Sequence, residues 1–199
     1  MAINSKLGII ILAGGLGKRV GGANKALMML HGQPMLQQVI QQIKDCSEHI
    51  IISANRDITL IQQYGYPVCS DLPTYRHMGP LAGIISAATL LPPQIDFIQI
   101  VPCDLPFITS NIIEHLYQQL HHQPELHIVY AADPSKQHPI VCQMRRHHLT
   151  KVEQQLNSTG KHSMRSIIEP YPHSIVTFNN SIPFTNYNNS AMFASCARE

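Results

Sequence analysis

Residues 7–13 (LGIIILA) constrain the fold of this chain more than any other segment: a short apolar, β-branched run that stops at Gly14-Gly15. A strand with no polar alternation is covered on both faces, as in the middle of a parallel sheet. The residues that follow keep alternating between strand and helix patterns. Leu36, Val39, Ile40 and Ile43 share one face of a helix. Ile50-Ile51-Ile52 forms a second buried strand that ends at Ser53-Ala54-Asn55, and Val68-Cys69 a weaker third that ends at Asp71. Residues 81–91 are small and apolar and fit a buried helix after Gly79-Pro80; residues 97–101 form a fourth strand that runs into Pro102-Cys103-Asp104. Thr109 or Ser110 caps a helix carrying Ile112, Ile113, Leu116 and Leu120. Further strands are expected at 128–131, 140–144 and 175–178, with a helix at 149–156. Residues 179–189, rich in Asn, read as a loop before a last short helix. Strands alternating with helices predict βαβ units and a mainly parallel sheet of Rossmann-like character.

In open α/β sheets ligands sit outside the carboxyl ends of the strands. Here those ends carry Gly14-Gly15, Asn55, Asp71 and Asp104. The first of them opens a loop with five glycines in nine positions (14–22), followed by Asn24 and Lys25. Such a loop lets the backbone approach a ligand and aim its N–H groups at anionic oxygens. Arg19 and Lys25 add positive charge suited to polyphosphate. A Walker loop is excluded, because Gly17-Lys18 is followed by Arg19 rather than Ser or Thr; Val20 stands where a dinucleotide fingerprint needs its third glycine. A plain flexible connection is the simpler alternative, but length, cations and placement favour phosphate binding.

Asp104 ends a buried strand between Pro102 and Pro106 and is a rigidly placed acid. Mg²⁺ prefers oxygen ligands and is often held by one or two carboxylates plus substrate phosphates. Taken alone, Asp104 is equally a turn-forming aspartate; beside a phosphate loop the metal role prevails. Asp71 either accepts hydrogen bonds from a base or ribose or caps a loop, the second being the simpler reading. Gly79-Pro80-Leu81-Ala82-Gly83 either offers helix N–H groups to a phosphate or packs a helix tightly through small residues. The twelve histidines contain no HxxxH or HExxH; the adjacent pairs His121-His122 and His147-His148 point different ways on an element, so a histidine-built metal site is not expected. His138-Pro139 follows a polar turn, and both proximity to substrate and simple surface exposure remain open. No serine stands in a GxSxG setting.

Composition narrows the function classes. At 199 residues and 44% hydrophobic, the chain suits one domain with a normal core rather than a disordered segment. Charged residues make up only 13% and the formal net charge is +2, with no basic run longer than Arg145-Arg146, so a nucleic-acid partner is not expected. Five cysteines without a CxxC pair read as reduced thiols of a cytoplasmic protein. Residues 1–8 lack the layout of a signal peptide, and no apolar run reaches the roughly 18 residues of a membrane span.

Leu12-Ala13-Gly14-Gly15 with Arg19, Gly21-Gly22 and Lys25 resembles the signature of the molybdenum cofactor guanylyltransferase family. Matching segments follow in that family's order: Ala54-Asn55-Arg56, Asp71, Gly79-Pro80-Leu81-Ala82-Gly83, Pro102-Cys103-Asp104-Leu105-Pro106, His138-Pro139 and Phe184-Thr185-Asn186-Tyr187-Asn188. They span residues 12–188. The resemblance implies a three-layer α/β/α sandwich of the nucleotide-diphospho-sugar transferase type over residues 1–199. Its part up to about residue 110 would bind nucleotide, and the rest would contribute to an acceptor site. It implies GTP and Mg²⁺, with molybdopterin or its molybdenum-loaded form as acceptor and other molybdenum-cofactor proteins as partners. By position, Leu12, Ala13, Gly14, Gly15, Lys25, Asn55, Asp71 and Asp104 would contact the nucleotide, Asp104 would also hold Mg²⁺, and Arg19, Lys25 and Asp104 would carry catalysis. The chain departs from the family at Asn24 (commonly Asp), Val20 (commonly Met), Ser53 (an Asn often used in nucleotide binding) and Asn189-Ser190 (usually Thr-Pro). A relative that uses CTP or a sugar phosphate, and a non-catalytic nucleotide-binding protein, are the alternatives.

Overall fold

Isoleucines at consecutive positions of one strand cannot share a neighbour, because successive side chains leave a strand on opposite faces. Ile9 and Ile11 therefore join one apolar cluster and Ile10 another, and all three are fully buried. This division builds the molecule, which the computed structural model describes for residues 5–14, 24–76, 78–159 and 163–187. In chain order the elements are β1 (Leu7–Leu12), β2 (Met29–Leu30), β3 (Gln33–Pro34), α1 (Met35–Ile43), β4 (His49–Ser53), α2 (Ile58–Gln62), β5 (Val68–Cys69) and α3 (Pro80–Ala88). There follow β6 (Phe97–Pro102), α4 (Ser110–His122), β7 (Ile128–Ala132), β8 (Gln137–Arg145), α5 (Leu149–Thr159), α6 (Met164–Ile168) and β9 (His173–Thr177).

Seven of these strands form one sheet in the order β5-β4-β1-β6-β8-β7-β9, with β2 and β3 making a separate hairpin. The pairs β5·β4, β4·β1, β1·β6 and β7·β9 are parallel; only β8 runs against its neighbours. The layer that receives Ile9 and Ile11 holds Leu36, Val39 and Ile43 of α1 and Ile112, Leu116 and Leu120 of α4. The opposite layer packs Ile10 with Leu81 and Ile84 of α3, Val152 and Leu156 of α5, and Ile167 of α6. Each such side chain withdrawn from water stabilises the fold by about 1.5–3 kcal/mol. The result is the expected three-layer α/β/α sandwich.

The reversed strand has a local cause. Only four residues separate β7 from β8, enough for a hairpin but not for a crossover. Asp133 folds that turn by accepting from the Ser135 N–H at 2.7 Å, the Ser135 hydroxyl at 2.6 Å and the Lys136 N–H at 3.0 Å. Register on the other side of β8 is pinned by a buried amide pair: Gln143 and Gln99 stand opposite each other, and Gln143 Nε2 donates to Gln99 Oε1 at 3.0 Å. A one-residue slip of β8 would turn Gln143 into the other apolar layer and leave Gln99 without its partner.

The expected elements are present with small shifts. The helix expected over 81–91 is α3, which ends at Ala88, and the strand expected over 140–144 extends to Gln137–Arg145. The loop expected over 179–189 contains a single 3₁₀ turn, Ile182–Phe184; the short helix expected after it falls outside the described residues. No helix among the described residues is long and apolar enough to cross a membrane. The four cysteines among them are free thiols, and burial pushes the Cys103 thiol up to about 12; Cys196 lies outside this set.

The adjacent histidines do point different ways: His147 is exposed and His148 fully buried, with its Nδ1 at 3.1 Å from that of His127. Burial pushes His148 down from 6.5 to about 4. Its imidazole stays neutral in the fold and gains a proton more readily when unfolded. Stability is therefore complete above about pH 6.5 and falls as pH drops toward 4, by about 3 kcal/mol in total. Thermal melts between pH 7 and pH 4 should show this loss, and His148→Leu should flatten the profile.

Candidate active site

Parallel pairing puts the residues that leave the sheet in register. Leu12 stands opposite Ser53 on one side and Pro102 on the other, and Ser53 stands opposite Cys69. The ladder continues one residue further: Ala13 N–H donates to Ser53 O at 2.7 Å, Cys103 N–H to Leu12 O at 3.0 Å and Ala54 N–H to Cys69 O at 2.9 Å. Gly14, Asn55, Asp71 and Asp104 each lie two residues past the end of their strand. They form a row along the carboxyl rim, in the order Asp71, Asn55, Gly14, Asp104, on strands about 4.8 Å apart.

Side-chain contacts join the row. Asn55 Nδ2 donates to Asp71 Oδ2 at 2.9 Å, and Asn55 Oδ1 accepts from the Asp71 N–H at 2.9 Å. A Cβ on Gly14 would lie 3.2 Å from Asn55 Nδ2, so the absent side chain leaves that amide its place. The loop carrying Asp71 is tied down by α3, where buried Ser86 accepts from the Leu72 N–H at 2.8 Å. That helix approaches the sheet closely because residue 83 is glycine; a Cβ there would stand 2.4 Å from Ser53 Oγ and 3.3 Å from Leu12 Cδ2. Of the two roles open to Gly79-Pro80-Leu81-Ala82-Gly83, tight packing is met at Gly83. Ser53 is buried beneath α3, and nothing in the structure explains its departure from the Asn common in the family.

Residues 15–23 of the glycine loop, including Gly15 and Arg19, lie outside the described residues. Both flanks are described, and both reach the rim. Gly14 stands in the row, and Lys25 Nζ lies 3.9 Å from Asp104 Oδ2, with the two side chains 20% and 17% exposed. Lys25 opens a 3₁₀ turn capped by Asn24, whose Oδ1 accepts from the Ala26 N–H at 3.1 Å. Asn24 Nδ2 also donates to Asp57 Oδ2 at 2.9 Å. An aspartate at 24 would set two carboxylates against each other there, so this departure from the family matches Asp57.

Burial pushes the Asp104 carboxyl above its ordinary value, while the Lys25 ammonium and a hydrogen bond from the Asn186 side chain pull the other way. Its backbone oxygen accepts from the Tyr187 N–H at 3.2 Å. The segment 184–187 thus closes over the Asp104 carboxylate. In the sequence Phe184-Thr185-Asn186-Tyr187-Asn188 is a motif without an assigned role; only the fold brings Asn186 and Tyr187 to Asp104. Among the described residues no three His, Cys, Asp or Glu side chains gather as a metal cage. A single desolvated carboxylate is nevertheless a suitable donor for Mg²⁺, which completes its shell with waters and substrate phosphates.

His138, left open by the sequence, is buried. Its Nε2 meets Asp133 Oδ2 at 2.8 Å, and its ring stacks on Phe184 with centroids 4.4 Å apart and planes inclined by 15°. Hydrogen bonds from Ser135, more than any other contact, hold the Asp133 carboxyl well below the ordinary carboxylate range, with His138 and the turn amides adding to them. Asp133 is therefore an anion, and His138 Nε2–H donates to it.

A sheet of this order, with its loops converging on one carboxyl rim, is an open α/β nucleotide-type fold, and the family match makes the chain a nucleotidyltransferase. The chain belongs to the MobA-like NTP transferase family, whose domain it matches over residues 9–175. It is 36% identical over 155 residues to a molybdenum cofactor guanylyltransferase of Haemophilus influenzae, covering 74% of this chain and 78% of that one. The fold also superposes on molybdopterin-guanine dinucleotide biosynthesis protein A of Archaeoglobus fulgidus (TM-score 0.76, 18% identity, 94% and 95% of the two chains). A CMP:2-keto-3-deoxy-manno-octonic acid synthetase complexed with CTP is nearly as similar in fold (TM-score 0.74, 15% identity, 96% of each chain). The backbone alone therefore does not select a base.

Proposed function

We propose that this enzyme transfers GMP from GTP to molybdopterin, or to its molybdenum-loaded form, and releases pyrophosphate. The observation that carries the reading is the rim row Asp71–Asn55–Gly14–Asp104 with Lys25 beside Asp104. The guanylyltransferase named above, at 36% identity, supports guanine over other bases. The part up to about residue 110 takes the nucleotide and the remainder contributes to the acceptor site. The reaction takes place in the cytoplasm, with other molybdenum-cofactor proteins supplying the acceptor and receiving the product.

The terminal phosphate of the acceptor attacks the α-phosphorus of GTP. A phosphorus–oxygen bond forms there, the bond to the bridging oxygen breaks, and pyrophosphate departs with the electron pair. The attacking group is already an anion, so no strong general base is needed, and catalysis reduces to positioning and charge neutralisation. Leu12, Ala13, Gly14 and Gly15 line the nucleotide, Asn55 and Asp71 hold it, and Lys25 and Arg19 neutralise charge on the departing pyrophosphate. Asp104 would hold Mg²⁺, which would supply neutralising charge to the substrate phosphates when bound.

The test is pyrophosphate release measured with each of the four NTPs, with and without molybdopterin, in the presence of Mg²⁺. Release that requires both GTP and molybdopterin is expected. Preference for CTP would move the enzyme to a cytidylyl-transferring role. GTP binding without pyrophosphate release would favour a nucleotide sensor.

A further inference from the structure

Asp133 and His138 belong to the β7–β8 hairpin and stand outside the rim row, yet contacts connect them to Asp104. Asp133 Oδ2 fixes the His138 ring at 2.8 Å. That ring lies nearly parallel to Phe184, which is 2% exposed. Two and three residues on, the Asn186 side chain hydrogen-bonds the Asp104 carboxyl and the Tyr187 N–H donates to the Asp104 backbone oxygen. If filling space against Phe184 were the only requirement, a leucine at 138 would serve without burying a polar ring. A buried imidazole is costly unless partnered, and here a carboxylate already engaged by three turn donors partners it. What this arrangement adds over an apolar contact is a fixed ring plane.

We infer that the Asp133–His138 pair is a positioning device for Asp104, setting the plane of Phe184 so that segment 184–187 holds that carboxylate in place. The inference rests on the proposed role of Asp104 in GMP transfer and extends its support to two residues on the far side of the segment. Neither touches the reacting groups; both act through Phe184, Asn186 and Tyr187.

The test compares wild type, His138→Leu and His138→Gln by amide hydrogen exchange over residues 184–187 without ligand, together with kcat and KM for GTP. Leucine keeps most of the volume but loses the Asp133 bond and the flat stack. In His138→Leu the Tyr187 amide should exchange at least about tenfold faster and kcat should fall by about 10–100-fold, the usual cost of losing outer support. KM for GTP should move less than about twofold, since Gly14, Asn55 and Asp71, which hold the nucleotide, are untouched. His138→Gln, which restores an N–H donor and a planar end, should recover part of both effects. A folded His138→Leu with wild-type exchange at 184–187 and wild-type kcat would overturn the inference, as would a change confined to the melting temperature. Should that variant fail to fold, Asp133→Asn carries the same readouts. Absence of GTP- and molybdopterin-dependent turnover in the wild type would instead defeat the proposed activity, leaving the exchange experiment to decide the positioning role.

Discussion

Asp104→Asn should lower GMP transfer by about 10²–10³-fold, the loss typical of removing one preorganised electrostatic group from a site of charge transfer, without destabilising the metal-free protein. The two effects have one origin. Asp104 is drawn out of water at the end of β6, and burial raises its carboxyl more than Lys25 and Asn186 lower it. In the absence of a metal the ionised group is therefore a net cost to the fold. The amide keeps the shape and removes that cost, so the melting temperature in chelator should be equal to or above that of the wild type. A core position would respond in the opposite way, losing stability first and activity as a consequence. Pyrophosphate release and thermal melts on the same preparation distinguish the two. Turnover within tenfold of wild type would remove Asp104 from the mechanism.

Legibility of the fold followed the physics of each element. Strands β1, β4 and β6 show as uninterrupted runs because both of their faces are covered, Ile9 and Ile11 by the layer that holds α1 and α4 and Ile10 by the layer that holds α3. The reversal of β8 was hidden because direction is set by four connecting residues and a buried amide pair, neither of which alters hydrophobic period. Helices α2 and α6 have five residues each, too short for a 3.6-residue pattern to repeat. The β2–β3 hairpin, two residues per strand, leaves even less trace.

Site residues at strand ends were readable one at a time; their association was not. Asn55 and Asp71 are sixteen positions apart, and only the parallel register of β4 and β5 brings their side chains to 2.9 Å. The sequence assigns Mg²⁺ to Asp104 and polyphosphate to Lys25, and their 3.9 Å approach agrees with a shared crevice. Segment 184–187 escapes assignment because its partners His138 and Asp104 lie 46 and 83 positions before Phe184 and Tyr187, and no local period reports such a return. Asn24, a departure from the family pattern, becomes intelligible through Asp57, a residue that sequence spacing does not connect to it.

Lys25→Met should reduce kcat/KM for GTP by about 100-fold, since it removes a preorganised cation from the charge that gathers on pyrophosphate. Its consequence for stability should be the reverse of that at Asp104. The Lys25 turn is anchored independently of its side chain, through the Asn24 cap and the bond from Met28 N–H to Lys25 O at 3.1 Å. Local structure should therefore survive. What remains is a desolvated carboxylate deprived of the ammonium 3.9 Å away, which should cost about 1–3 kcal/mol in metal-free protein at neutral pH. The double variant Lys25→Met/Asp104→Asn discriminates between this account and a merely structural one. Neutralising both groups removes the uncompensated charge, so stability should return toward wild type while turnover stays lost. If the two stability effects simply added, the pair would not be coupled. Lys25 would then act on the nucleotide alone or not at all, and kcat/KM of the single variant decides between those two.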